Sequence, residues 1–184
     1  MKRRLFLLSL VSLLVLTGTA VAAHRVWIRG TNHSETLVGT AGPDGIAARG
    51  GNDTVQALAG NDLIFAGRGN DAVDAGDGDD VAWGGAGNDQ LQGGLGNDRL
   101  RGRYGDDSLD GGPGNDRLHG GWGTDQLQGG DGNDRLFALA PDNKVDTLDC
   151  GPGDHDVAWE LSTEHDVITN CEVVKTVTVS NPGE

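Results

Sequence analysis

Eleven aspartates follow one another in this chain at a spacing of nine: Asp44, Asp53, Asp62, Asp71, Asp80, Asp89, Asp98, Asp107, Asp116, Asp125 and Asp134. Glycine stands two residues before each, from Gly42 to Gly132. An apolar residue stands two after each, from Ile46 to Leu136, and only Ala82 is small there. Carboxylates at so regular a spacing do not describe one catalytic centre. They describe one oxygen-donor site made many times. Aspartate side chains and glycine-exposed peptide carbonyls suit Ca²⁺, which takes 6–8 oxygens at about 2.3–2.6 Å. Mg²⁺ is disfavoured because it demands a rigid octahedron and keeps its waters. No organised His or Cys pattern accompanies the repeat, which argues against zinc or copper. Neither H-E-x-x-H nor G-x-S-x-G occurs, so the chain is not expected to be an enzyme.

Such residues need elements to position them. The unit reads G-G-x-G-x-D-x-U-x with U aliphatic, and Gly84 to Gln92 is a clean copy. Its x-U-x part predicts one short strand, with U facing in and both flanking residues facing out. The six residues G-G-x-G-x-D are expected to reverse the chain, where Gly and the recurrent Asn tolerate positive φ. Two units then make an 18-residue coil with a strand on each side. The aspartates divide between two edges: Asp44, Asp62, Asp80, Asp98, Asp116 and Asp134 on one, and Asp53, Asp71, Asp89, Asp107 and Asp125 on the other. Coils stack at about 4.8 Å, so each edge is a column of self-repelling carboxylates. Without counterions the stack should open. One ion between each stacked pair allows at most roughly nine interior sites.

Over residues 39–138 this pattern resembles the RTX, or haemolysin-type, calcium-binding nonapeptide repeat family. The resemblance implies an all-β fold, a right-handed parallel β-roll (β-solenoid), with several Ca²⁺ ions on the repeat aspartates. Ala48-Arg49, Ala57-Leu58 and Arg103 depart from the glycine pattern, and their turns are expected to bind weakly or not at all. The ends look degenerate. Glu35 and Leu37 mimic a first turn behind Val26-Trp27-Ile28. Beyond Asp134 the register slips by three to Asp146-Thr147-Leu148, then places His155 in the aspartate slot, then reaches Asp166-Val167-Ile168. The expected organisation is a signal peptide at 1–23, an N-terminal cap at 24–36, the repeats at 37–138 and a C-terminal cap at 139–184.

Lys2, Arg3 and Arg4, an apolar run of about 12 residues and the small residues up to Ala23 have the form of a Sec-type signal, too short to span a bilayer. Its removal leaves no membrane span and a secreted chain with 11 basic against 28 acidic residues. That balance excludes nucleic acid and anionic membranes as expected partners. It favours calcium ions. Cys150 and Cys171 are almost one coil apart and, in an oxidising compartment, are expected to form a disulfide. His24, His33, His119 and His165 read as solvated. Two functions remain open. One is a secreted calcium-binding protein that folds on binding several ions. The other is a calcium-stabilised adhesin or structural protein, contacting a cell wall or polysaccharide through exposed Phe65, Trp83, Tyr104, Trp122 and Phe137.

Overall fold

The computed structural model describes residues 25–163 and 165–178. These residues form seventeen strands and no helix. Strands alternate between two parallel sheets, about eight coils in all. Sheet I has nine: Val26–Arg29, Asp44–Gly50, Leu63–Arg68, Val81–Ala86, Arg99–Tyr104, Arg117–Trp122, Arg135–Ala138, Val157–Leu161 and Val173–Val177. Sheet II has eight: Thr36–Val38, Thr54–Gln56, Ala72–Asp77, Gln90–Leu95, Ser108–Pro113, Gln126–Asp131, Thr147–Asp149 and Val167–Thr169. Ile46 lies beside Ile64, then Ala82, then Leu100, so each coil is 18 residues. The aliphatic U residues are buried in one core between the sheets. The fold is the parallel β-solenoid that the spacing of nine implied.

The strands are longer than expected. Gln90–Leu95, for example, runs through x-U-x-G-G-x, and only Gly96, Asn97 and Asp98 remain for the turn. The cause is side-chain alternation. The leading glycine lies two residues beyond U, so it faces inward as U does. Ala48, Ala57, Ala66 and Ala75 fill the same slot and are fully buried. Ala48 and Ala57 are therefore core residues and not defects of the repeat.

The second glycine of the pair has a different constraint. Gly85 has φ +123°, and a Cβ on it would stand 2.0 Å from the carbonyl oxygen of Gly67 in the coil below. Arg49, Leu58 and Arg103 hold the same slot with φ of 81°, 80° and 92°. They keep the turn at the strain that an L-residue meets there.

Both ends continue the solenoid. Ile28 lies beside Ile46, and Leu37 beside Val55. Past Asp134 the coils lengthen. Asp125 bonds to Asp146, Asp134 to Asp156 and Asp146 to Asp166, at separations of 21, 22 and 20 residues. The expected slip of three to Asp146 agrees with this. His155 does not take the aspartate slot. Asp156 does, with Ala158 beside Leu136 in the core position, while His155 is exposed. Inward alternation decides it: the longer turn through Pro152 and Gly153 absorbs one more residue than nine-residue counting allows. Cys150 and Cys171 are bonded, with Cα atoms 5.1 Å apart, and tie two successive coils together. The proposed leader and His24 lie outside the described residues.

Candidate metal centre

The strand-to-turn junction turns each repeat aspartate inward at its edge. All eleven are buried, none more than 2 % exposed. The two expected columns are present. On the first edge the amide of Asp44 donates to Asp62 Oδ1 at 2.7 Å, Asp62 to Asp80 at 2.7 Å and Asp80 to Asp98 at 2.8 Å. Asp98, Asp116 and Asp134 continue it to Asp156, whose amide donates to Glu172 Oε2. The second edge begins where Glu35 donates to Asp53 Oδ1. It passes through Asp71, Asp89, Asp107 and Asp125 to Asp146 and Asp166.

Asp146, Asp156 and Asp166 thus belong to the columns, although the spacing of nine stops at Asp134. The D-x-U shape at Asp146 and Asp166 is the signal that could have added them. For Asp156 the signal is weaker, because alanine follows in the core slot, as Ala82 does after Asp80.

The amide ladder uses one carboxylate oxygen of each aspartate. Except at Asp146, the other is buried without a partner. Oδ2 of Asp53, Asp62, Asp71, Asp80, Asp89, Asp98, Asp107, Asp116, Asp125 and Asp134 is buried and accepts no hydrogen bond, as is Oδ2 of Asp156 and Asp166. At Asp44 the orphan is Oδ1, since Thr40 N donates to Oδ2. A buried, unpaired carboxylate oxygen is costly, so a run of them requires an explanation.

Burial is also what moves their acidity. It pushes Asp98, Asp125 and Asp134 up to about 6, Asp80, Asp89, Asp116 and Asp146 to about 7, and Asp107 to about 8. The amide donated from the coil below opposes the rise, and neighbouring carboxylates in the column add to it for Asp107 and Asp116. Asp62, Asp71, Asp156 and Asp166 are raised for the same first reason.

The orphan oxygens do not stand alone. A methyl carbon on Gly93 would lie 2.4 Å from Asp98 Oδ2 and 2.6 Å from the carbonyl oxygen of Gly111. On Gly111 it would lie 2.4 Å from Asp116 Oδ2 and 2.5 Å from Gly129 O. Carboxylate and carbonyl oxygens therefore approach each other at the inward slot two residues after U. Among the described residues no three His, Cys, Asp or Glu side chains gather. A cation here would take its remaining ligands from peptide carbonyls, as a hard, oxygen-seeking ion does. The donor set fits Ca²⁺ and offers nothing to a soft metal.

Three sequence readings of other residues need correction. His119 is half-buried, not solvated: it stacks on Phe137 with ring centroids 4.1 Å apart and accepts from Arg117 Nε. Burial pushes its pKa down to about 4, with Arg117 and Arg101 adding to the effect, so it is neutral. Phe137 is only 8 % exposed, because His119, Trp159 and Arg117 cover it. Trp83, expected to be exposed, is half-buried and stacked on Phe65, whereas Phe65, Tyr104 and Trp122 are exposed as expected.

The family model described as RTX calcium-binding nonapeptide repeat matches four times, at residues 29–64, 48–82, 83–118 and 119–140. No curated protein matches the chain.

Proposed function

This chain belongs to the RTX calcium-binding nonapeptide repeat family, and from that premise we propose that it is a secreted protein that folds as its aspartate columns bind Ca²⁺. The ligands are the eleven repeat aspartates from Asp44 to Asp134, extended by Asp156 and Asp166, each through its unpartnered oxygen, and by Asp146 in the same column. Carbonyls of the leading residues, such as Gly111 and Gly129, complete the shell. The observation that carries this reading is the run of buried oxygens without a partner along both edges. Bound calcium supplies the positive charge that makes those carboxylates tolerable in a dry interior. The chain supplies everything else: it holds one oxygen by an amide and aims the other.

Folding is coupled to binding because the unfolded chain has no such columns. A chain that folds only at the roughly 10⁻⁴–10⁻³ M calcium suited to extracellular modules would stay open before export. The organisation follows: leader 1–23, N-terminal cap 24–36, repeats 37–138, and a disulfide-pinned cap 139–184. The regular spacing of the carboxylates favours a binding module over an enzyme. The test is small-angle scattering of the mature chain as Ca²⁺ is added, with N-terminal sequencing of protein recovered from the medium. Collapse to a rod and a start near residue 23 are expected. A chain already compact in chelator would reject the coupling, and an intact leader would reject secretion by cleavage.

A further inference from the structure

The two sheets present chemically opposite outer faces. Every Lys and Arg that lies in a strand lies in sheet I, whose only strand acids are Asp44, buried in its column, and Glu160. The strands of sheet II carry five aspartates and no Lys or Arg. On sheet I, Arg99, Arg117 and Arg135 stand in register, one per coil, and all three are exposed. On sheet II one outward row reads Gln56, Asp74, Gln92, Asp110, Gln128 and Asp149, so amide and acid alternate from coil to coil. Among the described residues no ion pair joins the arginine row to a carboxylate, and the side chains of Asp74 and Asp110 accept no hydrogen bond. Like charges in neighbouring register repel, so each row is left in want of the opposite charge.

The rows share one period. Both sheets are cut from the same coils, so charges on either face recur at multiples of about 4.8 Å. A cationic row on one copy can therefore stay in step with the acidic row of another over several coils. Both faces are also ridged. On sheet II the acidic row and the parallel row of Gln90, Ser108 and Gln126 flank a shallow groove, and on sheet I Arg117, Arg135 and Phe137 border another. Aligned sheets pack about 10 Å apart by setting the side chains of one face between those of the other. Composition points to protein as the partner. Exposed Tyr104 and Trp122 lie side by side on the sheet that bears the arginines. Arginine with aromatic rings is what protein contact surfaces are enriched in. A soluble polyanion would answer sheet I and leave sheet II unmatched. A second copy of this chain answers both.

We propose that sheet I of one molecule docks on sheet II of a second copy, with the Arg99–Arg117–Arg135 row against the Asp74–Asp110 row. The contact is heterologous: each molecule in a pair still presents one unused face, so copies add side by side. This rests on the calcium reading, since the rows exist only when the coils stack. The whole chain carries a net charge of −14, which keeps unloaded copies apart. Calcium in the columns removes that repulsion and leaves the surface rows unchanged.

The experiment is sedimentation velocity of the mature, calcium-loaded chain over a concentration series, with circular dichroism of each sample to report the fold. Species larger than a dimer should grow with concentration and come apart as salt screens the rows. Arg99→Gln, Arg117→Gln and Arg135→Gln together should weaken association by roughly 10-fold or more, and so should Asp74→Asn with Asp110→Asn. The two variants are then mixed. The intact sheet II of the arginine variant meets the intact sheet I of the aspartate variant, so the mixture should form one-to-one pairs and stop there. A folded chain that stays monomeric at every concentration, whether or not it captures hyaluronan or oligo(dT), overturns the proposal. Association indifferent to salt or to either variant does the same. So does assembly lost with the aspartate changes but not the arginine changes, as Ca²⁺ bridging two acidic faces would give. A chain that fails to fold in calcium overturns instead the reading on which the proposal rests.

Discussion

The raised pKa values of the buried aspartates predict how the metal-free chain responds to pH. Asp80, Asp89, Asp116 and Asp146 are pushed up to about 7 in the folded form, from an ordinary 3.8. A carboxyl whose pKa rises on folding holds its proton better when folded. Folding is therefore unpenalised below about pH 4 and loses stability as pH climbs through the folded values of about 6 to 8. At pH 7 each carboxyl shifted to 7 costs the metal-free fold about 4 kcal/mol. Two or three such groups exhaust the 5–15 kcal/mol typical of a domain. The perturbation is pH in calcium-depleted buffer, and the assay is far-ultraviolet circular dichroism with thermal melts between pH 3.5 and 8.5. β structure is expected near pH 4 and its progressive loss as pH climbs from there toward the folded values. Stability that is flat or rises with pH in that window would refute the assignment of buried, unpaired carboxylates.

Three substitutions separate the contributions. Asp107→Asn keeps the oxygen that accepts from Asp89 N and removes the charge, so at pH 8 the metal-free fold should gain about 1–3 kcal/mol while calcium affinity falls; denaturant melts and calcium titration read the two effects with opposite signs. Arg103→Gly relieves an L-residue at φ 92° and should stabilise the calcium-loaded form by about 1 kcal/mol, seen as a raised Tm. Cys150→Ser with Cys171→Ser opens the 21-residue link and should cost about 2–4 kcal/mol, with the melting of the C-terminal coils separating from that of the repeats.

The spacing of nine was enough to read the solenoid, its two edges and the aspartate columns, because every half-coil repeats the same chemistry. It hid what distinguishes one half-coil from the next. At 18-residue spacing Phe65, Trp83, Arg101, His119 and Phe137 form one row, while Gln56, Asp74, Gln92, Asp110 and Gln128 form its counterpart on the other sheet. That longer period sorts cations and rings from acids and amides, and reading rows at nine mixes them. Strand length was missed because a glycine has no side chain to reveal that it faces inward. Ala48, Ala57, Ala66 and Ala75 in the same slot carried the hint. Asp156 was missed because a turn of unusual length sets its own register, and only pairing with Asp134 decides which residue turns in. The burial of Phe137 depends on neighbours one coil away on both sides, His119 and Trp159.

The central claim is that calcium holds the coils together, and it is tested most directly by circular dichroism at neutral pH across a calcium titration. The chain should show coil in chelator and a parallel-β spectrum in millimolar Ca²⁺, with Mg²⁺ a poor substitute. A β-rich spectrum that chelation leaves unchanged at that pH would contradict it.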